Sequence, residues 1–206
     1  MSQISSGIRS MLTLSPVFDL MQNFAGAKRG REIFCHDYLR ARSDSVVLDI
    51  GCGTAAILDS LPEGVEYYGF DLSPAYIATA TRKYGDRGHF ICRDVNDVSD
   101  DDLPFCDLAI ASGLLHHLDD QEAGHLLSGI HRRLNTGGRL VTLDGCFLPG
   151  QSWIAGSLLR ADRGQNVRNL EGYVGLAEPF FSVVTAHIRE DMNRIPYTLA
   201  ILECTK

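Results

Sequence analysis

The chain predicts an α/β fold: a mostly parallel sheet with helices on both faces and an antiparallel last strand. Three observations point there. From Ser45 onward, short apolar runs alternate with stretches of helical periodicity, the pattern of strands joined by crossover helices. The first apolar run ends in a glycine turn, Val46-Val47-Leu48-Asp49-Ile50-Gly51-Cys52-Gly53-Thr54. The last two runs are joined only by Glu190-Asp191-Met192-Asn193-Arg194-Ile195-Pro196, too short for a crossover helix, so they form a hairpin.

Taken in order, residues 1–20 are weakly patterned, and Phe18, Leu20, Met21 and Phe24 form one apolar face. Ile33, Phe34, Tyr38 and Leu39 recur at helical spacing, a helix ending near Arg42. The basic run Lys28-Arg29-Gly30-Arg31 is either its solvated start or a hold for an anionic acceptor. Strands are expected at about 45–50, 65–70, 89–93, 107–112, 139–144, 182–189 and 197–204, and helices at about 54–61, 74–84, 120–134, 151–161 and 170–179. Ser73-Pro74 suits a helix N-cap and first position. Leu126, Leu127, Ile130 and Leu134 make an apolar stripe, with Arg132 and Arg133 at the favourable C-terminal end and Gly137-Gly138 as the stop.

Composition sets bounds. A chain of 206 residues, 45% apolar, suits one domain with a substantial core. A net charge of −7 argues against a general nucleic-acid binder. No apolar run reaches the roughly 18 residues of a membrane span, and no signal peptide is evident. Six scattered cysteines form no C-x-x-C pair; they read as reduced small residues of a cytoplasmic protein, with no metal site.

The loop chemistry is more specific. Gly51 and Gly53 allow a tight turn and close approach of a ligand to bare backbone. Asp49 stands two residues before the first glycine, at the carboxyl end of its strand, where open α/β sheets bind ligands. A carboxylate there repels a pyrophosphate and attracts a cation. Asp71 ends the next apolar run, 18 residues after Gly53, close to the spacing of a carboxylate that accepts from ribose hydroxyls. S-adenosylmethionine, with a sulfonium, an ammonium and no phosphate, suits these charges; NAD does not.

Val47-Leu48-Asp49-Ile50-Gly51-Cys52-Gly53-Thr54 resembles the first motif of the class I S-adenosylmethionine-dependent methyltransferases. Tyr68-Gly69-Phe70-Asp71-Leu72-Ser73-Pro74 is similar to their second motif, Arg93-Asp94-Val95 to the third, and Leu134-Asn135-Thr136-Gly137-Gly138-Arg139-Leu140 to the turn before their fifth strand. The resemblance runs from about Asp44 to Thr142 and keeps its order. It implies a Rossmann-like seven-stranded sheet in a single domain: an N-terminal helical lid (1–43), a cofactor-binding half (44–144), and acceptor-side helices with the final hairpin (145–206). It implies that Gly51, Cys52 and Gly53 pass under the methionine part, with Asp49 at its cationic end. Asp71 would bind the ribose beside Leu72, Asp94 the adenine amino group beside Val95, and Ser112 to Leu114 the methionine portion. Asp94 also reads as a turn cap, and Cys52 as a small turn residue. Where the family usually has a third glycine this chain has Ala55, which narrows the loop.

Methyl transfer needs an acceptor held in line with the methyl, plus a base where the acceptor arrives protonated. His116 and His117, just past the fourth strand, either supply that base or pack and orient the backbone. Asp144, after the fifth strand, either orients an acceptor or turns the chain before Gly145. Arg160-Ala161-Asp162-Arg163-Gly164-Gln165-Asn166-Val167-Arg168, near Tyr173 and Trp153, is either a solvated loop or a clamp in which Arg163, Arg168 and Tyr173 hold phosphate or carboxylate. Asp162-Arg163-Gly164, with Val167-Arg168 and Arg194-Ile195-Pro196-Tyr197-Thr198, also resembles bacterial methyltransferases of surface-polysaccharide loci, implying a sugar or sugar-nucleotide acceptor. The expected protein is a monomer or homodimer that forms S-adenosylhomocysteine from S-adenosylmethionine with a small-molecule acceptor and no nucleic acid. The competing readings are a silent cofactor-binding regulatory partner and an NAD-type oxidoreductase.

Overall fold

Parallel pairing carries the sheet. The computed structural model describes residues 27–94, 104–161 and 165–206. Strands β1 (Val46–Ile50), β2 (Glu66–Phe70), β3 (His89–Ile91), β4 (Cys106–Ser112) and β5 (Leu134–Phe147) pair in parallel in the order β3-β2-β1-β4-β5. The two-residue strand β6 (Arg168–Asn169) pairs with the far end of β5. Strands β7 (Val183–Arg189) and β8 (Leu199–Thr205) form the expected antiparallel hairpin, and β8 lies antiparallel against β5. The mostly parallel sheet with an antiparallel last strand is therefore present, with β6 as an eighth strand that sequence periodicity did not reveal.

Side-chain alternation divides the core. On β1, Leu48 and Ile50 join the cluster under helices α3 (Asp120–Arg133) and α5 (Leu170–Ala177). Val47 faces the other way, into a cluster under helix α1 (Ala27–Ile33), its continuation Phe34–Leu39, and helix α2 (Pro74–Tyr84). Helix α4 (Trp153–Ala161) follows β5. The apolar stripe of α3 is buried as the sequence suggested, at Leu126, Leu127 and Ile130, and Leu134 is buried with it. Its start is a capping box: Asp119 accepts from the Glu122 N–H at 2.8 Å, and Glu122 accepts from the Asp119 N–H at 3.1 Å. The helix stops at Arg133, so Gly137 and Gly138 turn the chain inside β5 instead. No helix among the described residues is long and apolar enough to cross a membrane.

Two local expectations are corrected. The helix expected at 54–61 is a single 3-10 turn, Ala56–Asp59. Ala55 precedes it with φ of 55°, a left-handed conformation, and Pro62 disfavours helical backbone at Leu61. Too few residues remain between them for an α-helix. The alanine methyl is fully buried in the core beside Ile57 and Leu58, which offsets the cost of its backbone. The second correction concerns the first helix, which widens into a π-helix over Phe34–Leu39 and ends at Arg40 in a left-handed cap.

That helix end is fastened by charge. Arg139 donates to the carbonyls of Tyr38 at 3.2 Å and Leu39 at 2.6 Å, the orphan acceptors of the last turn. It also donates to Glu203 at 2.9 Å, which Arg40 and His187 contact as well. We predict that Arg139→Ala lowers stability by about 1–3 kcal/mol, chiefly because two carbonyls lose their donor. Urea denaturation reads this; an unchanged midpoint would show that the fastening contributes nothing.

Candidate functional site

The carboxyl ends of β1, β2 and β4 meet at one edge, and backbone requirements bring their loops together. Gly51 and Gly53 both have positive φ, 75° and 56°, so glycine fits here at no steric cost. The Gly51 and Cys52 N–H groups both donate to the Phe70 carbonyl, at 2.8 and 2.9 Å, which ties the loop to the end of β2. Leu114, from the loop after β4, lies over Gly51; a Cβ at Gly51 would sit 3.5 Å from its side chain.

Asp71 organises the loop from the other side. One carboxylate oxygen accepts from the Gly53 N–H at 2.9 Å and the other from the Ser73 N–H at 2.8 Å. Burial raises its pKa above the usual carboxylate value, and these two backbone bonds oppose the rise. Each oxygen keeps a lone pair, so the group can still accept from a diol.

Asp49 is more deeply placed. It is 4% exposed, and its Oδ2 accepts from the hydroxyl of buried Tyr67 at 2.6 Å. Burial pushes its pKa up to about 7. Cys52 lies against Gly69, and burial beside Asp49 and Asp71 raises its thiol pKa, so it is no thiolate nucleophile. Tyr67 was not foreseen. Its signal was a phenol in the inward register of an apolar strand, which needs a polar partner.

Leu72, Asp94 and Ser112 stand at the same edge, after β2, after β3 and at the end of β4. The Leu72 carbonyl faces the Cys92 thiol at 3.8 Å, and Asp94 and Ser112 are half-buried. Val95 and Arg163 lie outside the described residues.

Past β4, His116 and Asp144 meet. His116 Nδ1 is 2.8 Å from Asp144 Oδ1, and the His116 backbone N–H donates to the same oxygen at 3.2 Å. Both side chains are buried, and Asp144 Oδ2 has no hydrogen-bond partner among the described residues. The His117 ring lies 4.1 Å from the His116 ring. An aspartate on Nδ1 selects the tautomer whose Nε2 accepts a proton.

Two of the residues expected to clamp an acceptor, Arg168 and Tyr173, have partners within the protein. Arg168 makes five hydrogen bonds: to Asp120 from Nε and Nη2, to the Leu115 and Asn166 carbonyls from Nη1, and to the Leu118 carbonyl from Nη2. These use all its N–H groups and leave none for an anion. Tyr173 is fully buried and donates to the Gly145 carbonyl at 2.9 Å. Arg168 instead holds the turn carrying His116, whose carbonyl accepts from the Asn166 N–H at 3.0 Å.

Residues 47–138 match the family model of a methyltransferase domain. The match covers the strands and loops from β1 to the turn inside β5. No curated protein sequence matches the chain. Among solved structures it is similar to the pyocyanin biosynthetic protein PhzM, at 15% identity and a TM-score of 0.74, over 98% of this chain and 62% of that one. It is similar to magnesium protoporphyrin IX methyltransferase from Synechocystis PCC 6803 with bound S-adenosylmethionine, at 17% identity and a TM-score of 0.68, over all of both chains. It is also similar to geranyl diphosphate C-methyltransferase from Streptomyces coelicolor A3(2), at 18% identity and a TM-score of 0.66, over 87% of this chain and 80% of that one. These likenesses place the matched segment and the strands beyond it in one common fold.

Arg168 thus positions the turn that carries His116. We predict that Arg168→Ala lowers kcat about tenfold or more with cofactor affinity unchanged, since a small misplacement of a catalytic group is costly. Steady-state kinetics beside calorimetric titration reads this. A rise in acceptor KM alone would return Arg168 to the acceptor.

Proposed function

We propose that the protein transfers the methyl group of S-adenosylmethionine to a protonated oxygen or nitrogen of a small acceptor, with the His116–Asp144 pair taking the proton. The observation that carries this reading is the 2.8 Å contact between His116 and Asp144, on the turn whose Leu114 covers the glycine loop.

The residues of the loop fit this cofactor. Asp49 and Asp71 put two carboxylates at the ligand edge, and no described basic side chain forms an ion pair with either. The 3-10 turn after Ala55 offers no α-helix N-terminus to a phosphate. Both features disfavour NAD. Asp71 would accept from the ribose hydroxyls, Asp94 from the adenine amino group, and Asp49 would balance the cationic end. The cofactor supplies a methyl on a sulfonium sulfur, and displacement leaves S-adenosylhomocysteine.

On the acceptor side, His116 Nε2 would take the proton as the acceptor atom attacks the methyl carbon in line with the departing sulfur. Buried Asp144 would hold the ring and stabilise the imidazolium. A sugar hydroxyl is such an acceptor. With Arg168 and Tyr173 engaged inside the protein, this reading rests on the acceptor's proton and not on an anionic handle.

Calorimetric titration with S-adenosylmethionine, S-adenosylhomocysteine and NAD tests the cofactor: the first two should bind and NAD should not. Binding of NAD alone would overturn the reading. Asp71→Asn should weaken S-adenosylmethionine binding by about 1–3 kcal/mol; unchanged affinity would remove Asp71 from the ribose. A methyl-transfer screen over hydroxyl and amine acceptors then tests the chemistry. His116→Ala should lower kcat about 10²- to 10⁴-fold with cofactor affinity retained. Full turnover in that variant would remove the base, and no turnover with any acceptor would favour a silent cofactor-binding partner.

A further inference from the structure

Among the described residues, Asp49 is a buried acid without a counter-charge. Its strand neighbours are Gly69 on β2 and Ile110 on β4, neither ionisable. The ionisable groups facing it are Tyr67 on β2, Asp71 at the end of β2, Cys52 in the loop, and Cys35 on the π-helical turn packed above. None carries positive charge. Burial pushes the Cys35 thiol up to about 12 and raises the Tyr67 phenol well above its usual range. Tyr67 gives Asp49 a single hydrogen bond, at 2.6 Å. A carboxylate so enclosed, with no cation beside it, is neutralised by taking up a proton. The direction agrees with its pKa of about 7, where burial dominates, the Tyr67 hydroxyl opposes, and Asp71 adds to the rise.

We propose that Asp49 is a protonated acid in the ligand-free protein and that binding of the cationic cofactor expels its proton, with Tyr67 positioning the carboxyl for that exchange. The inference rests on the reading that the loop takes S-adenosylmethionine. The cofactor's cationic end brings the missing positive charge, the O–H bond of Asp49 breaks, and the proton passes to solvent. Binding is therefore weakened as the pH falls through about 7, because the cofactor must then displace a proton that is more firmly held. The same exchange makes the site selective. A ligand without positive charge at this position leaves the acid neutral.

The test is calorimetric titration of the full chain with S-adenosylmethionine at pH 6.0 and 8.0, in cacodylate, MES and bis-Tris at the lower pH and in buffers of equally different ionisation enthalpy at the higher. At pH 6.0 the ligand's own α-ammonium stays protonated, so released protons come from the protein. The dependence of the heat on buffer should give about 0.9 proton released at pH 6.0 and about 0.1 from Asp49 at pH 8.0, with about tenfold weaker binding at the lower pH. Asp49→Asn should abolish the release at pH 6.0 and the Asp49 share of the affinity change, whatever its absolute affinity. Tyr67→Phe removes the hydroxyl that favours the ionised carboxylate, so its release should persist to higher pH. Wild-type binding at pH 6.0 with equal heat in all three buffers would overturn this inference alone. No binding at either pH would overturn the proposed function and this inference with it.

Discussion

Parallel pairing of β1 with β2 and β4 is the constraint on which the site depends. The register sets Asp49 opposite Gly69 and Ile110, so the carboxyl ends of three strands stop at nearly the same level. Everything polar then gathers beyond that edge: Gly51 and Gly53 after β1, Asp71 after β2, and Leu114 with His116 after β4. Asp144, near the end of β5, completes the row because Ser112 of β4 pairs with its neighbour Leu143. A slip of one residue in β1 would turn Asp49 toward the α3 face and bring Leu48 or Ile50 to the ligand side. The hydrophobic pattern therefore defends the site's chemistry as well as the core.

Arginines do structural work that charge counting would assign to ligands. Arg139 closes the end of the first helix, and Arg168 closes the turn bearing His116. Both serve backbone carbonyls at the ends of helical turns. A guanidinium suits this task because its five N–H groups lie in one plane and can reach several carbonyls at once. Arg168 reaches across from β6 to carbonyls at 115 and 118, so the two-residue strand β6, slight as it is, sets where that arginine starts.

The strand positions, the hairpin and the apolar stripe of α3 were legible in the sequence because they follow from periodicity and connection length, which are local. The glycine loop and both acidic positions were legible because they lie in fixed spacing to it. The 3-10 turn after Ala55 was not, although its causes, Ala55 in place of a glycine and Pro62 seven residues on, were both in view. The capping box at Asp119 and Glu122 was written in the sequence as an acidic residue three positions before a glutamate, and a search for the pattern finds it. The partners of Arg168 and Tyr173 were not legible for a deeper reason. Their partners at 115, 118, 120 and 145 are far away in sequence, and three of the four are backbone carbonyls, which no side-chain motif records.

Charge balance identifies the ligand more sharply than the glycines do. Glycine turns after a first strand serve many nucleotide cofactors, and the glycine spacing alone leaves NAD in play. The loop in this protein is bordered by Asp49, buried and tied only to a phenol, and by Asp71, which spends one lone pair of each oxygen on backbone N–H groups. The α-helix whose N-terminus would favour a phosphate is reduced to one turn. Asp71 and the shortened turn raise the cost of an anion, and Asp49 lowers the cost of a cation. A site for a positively charged ligand gains from an acid whose ionisation that charge favours. Tyr67, absent from any motif, holds that acid by the hydrogen bond of its hydroxyl.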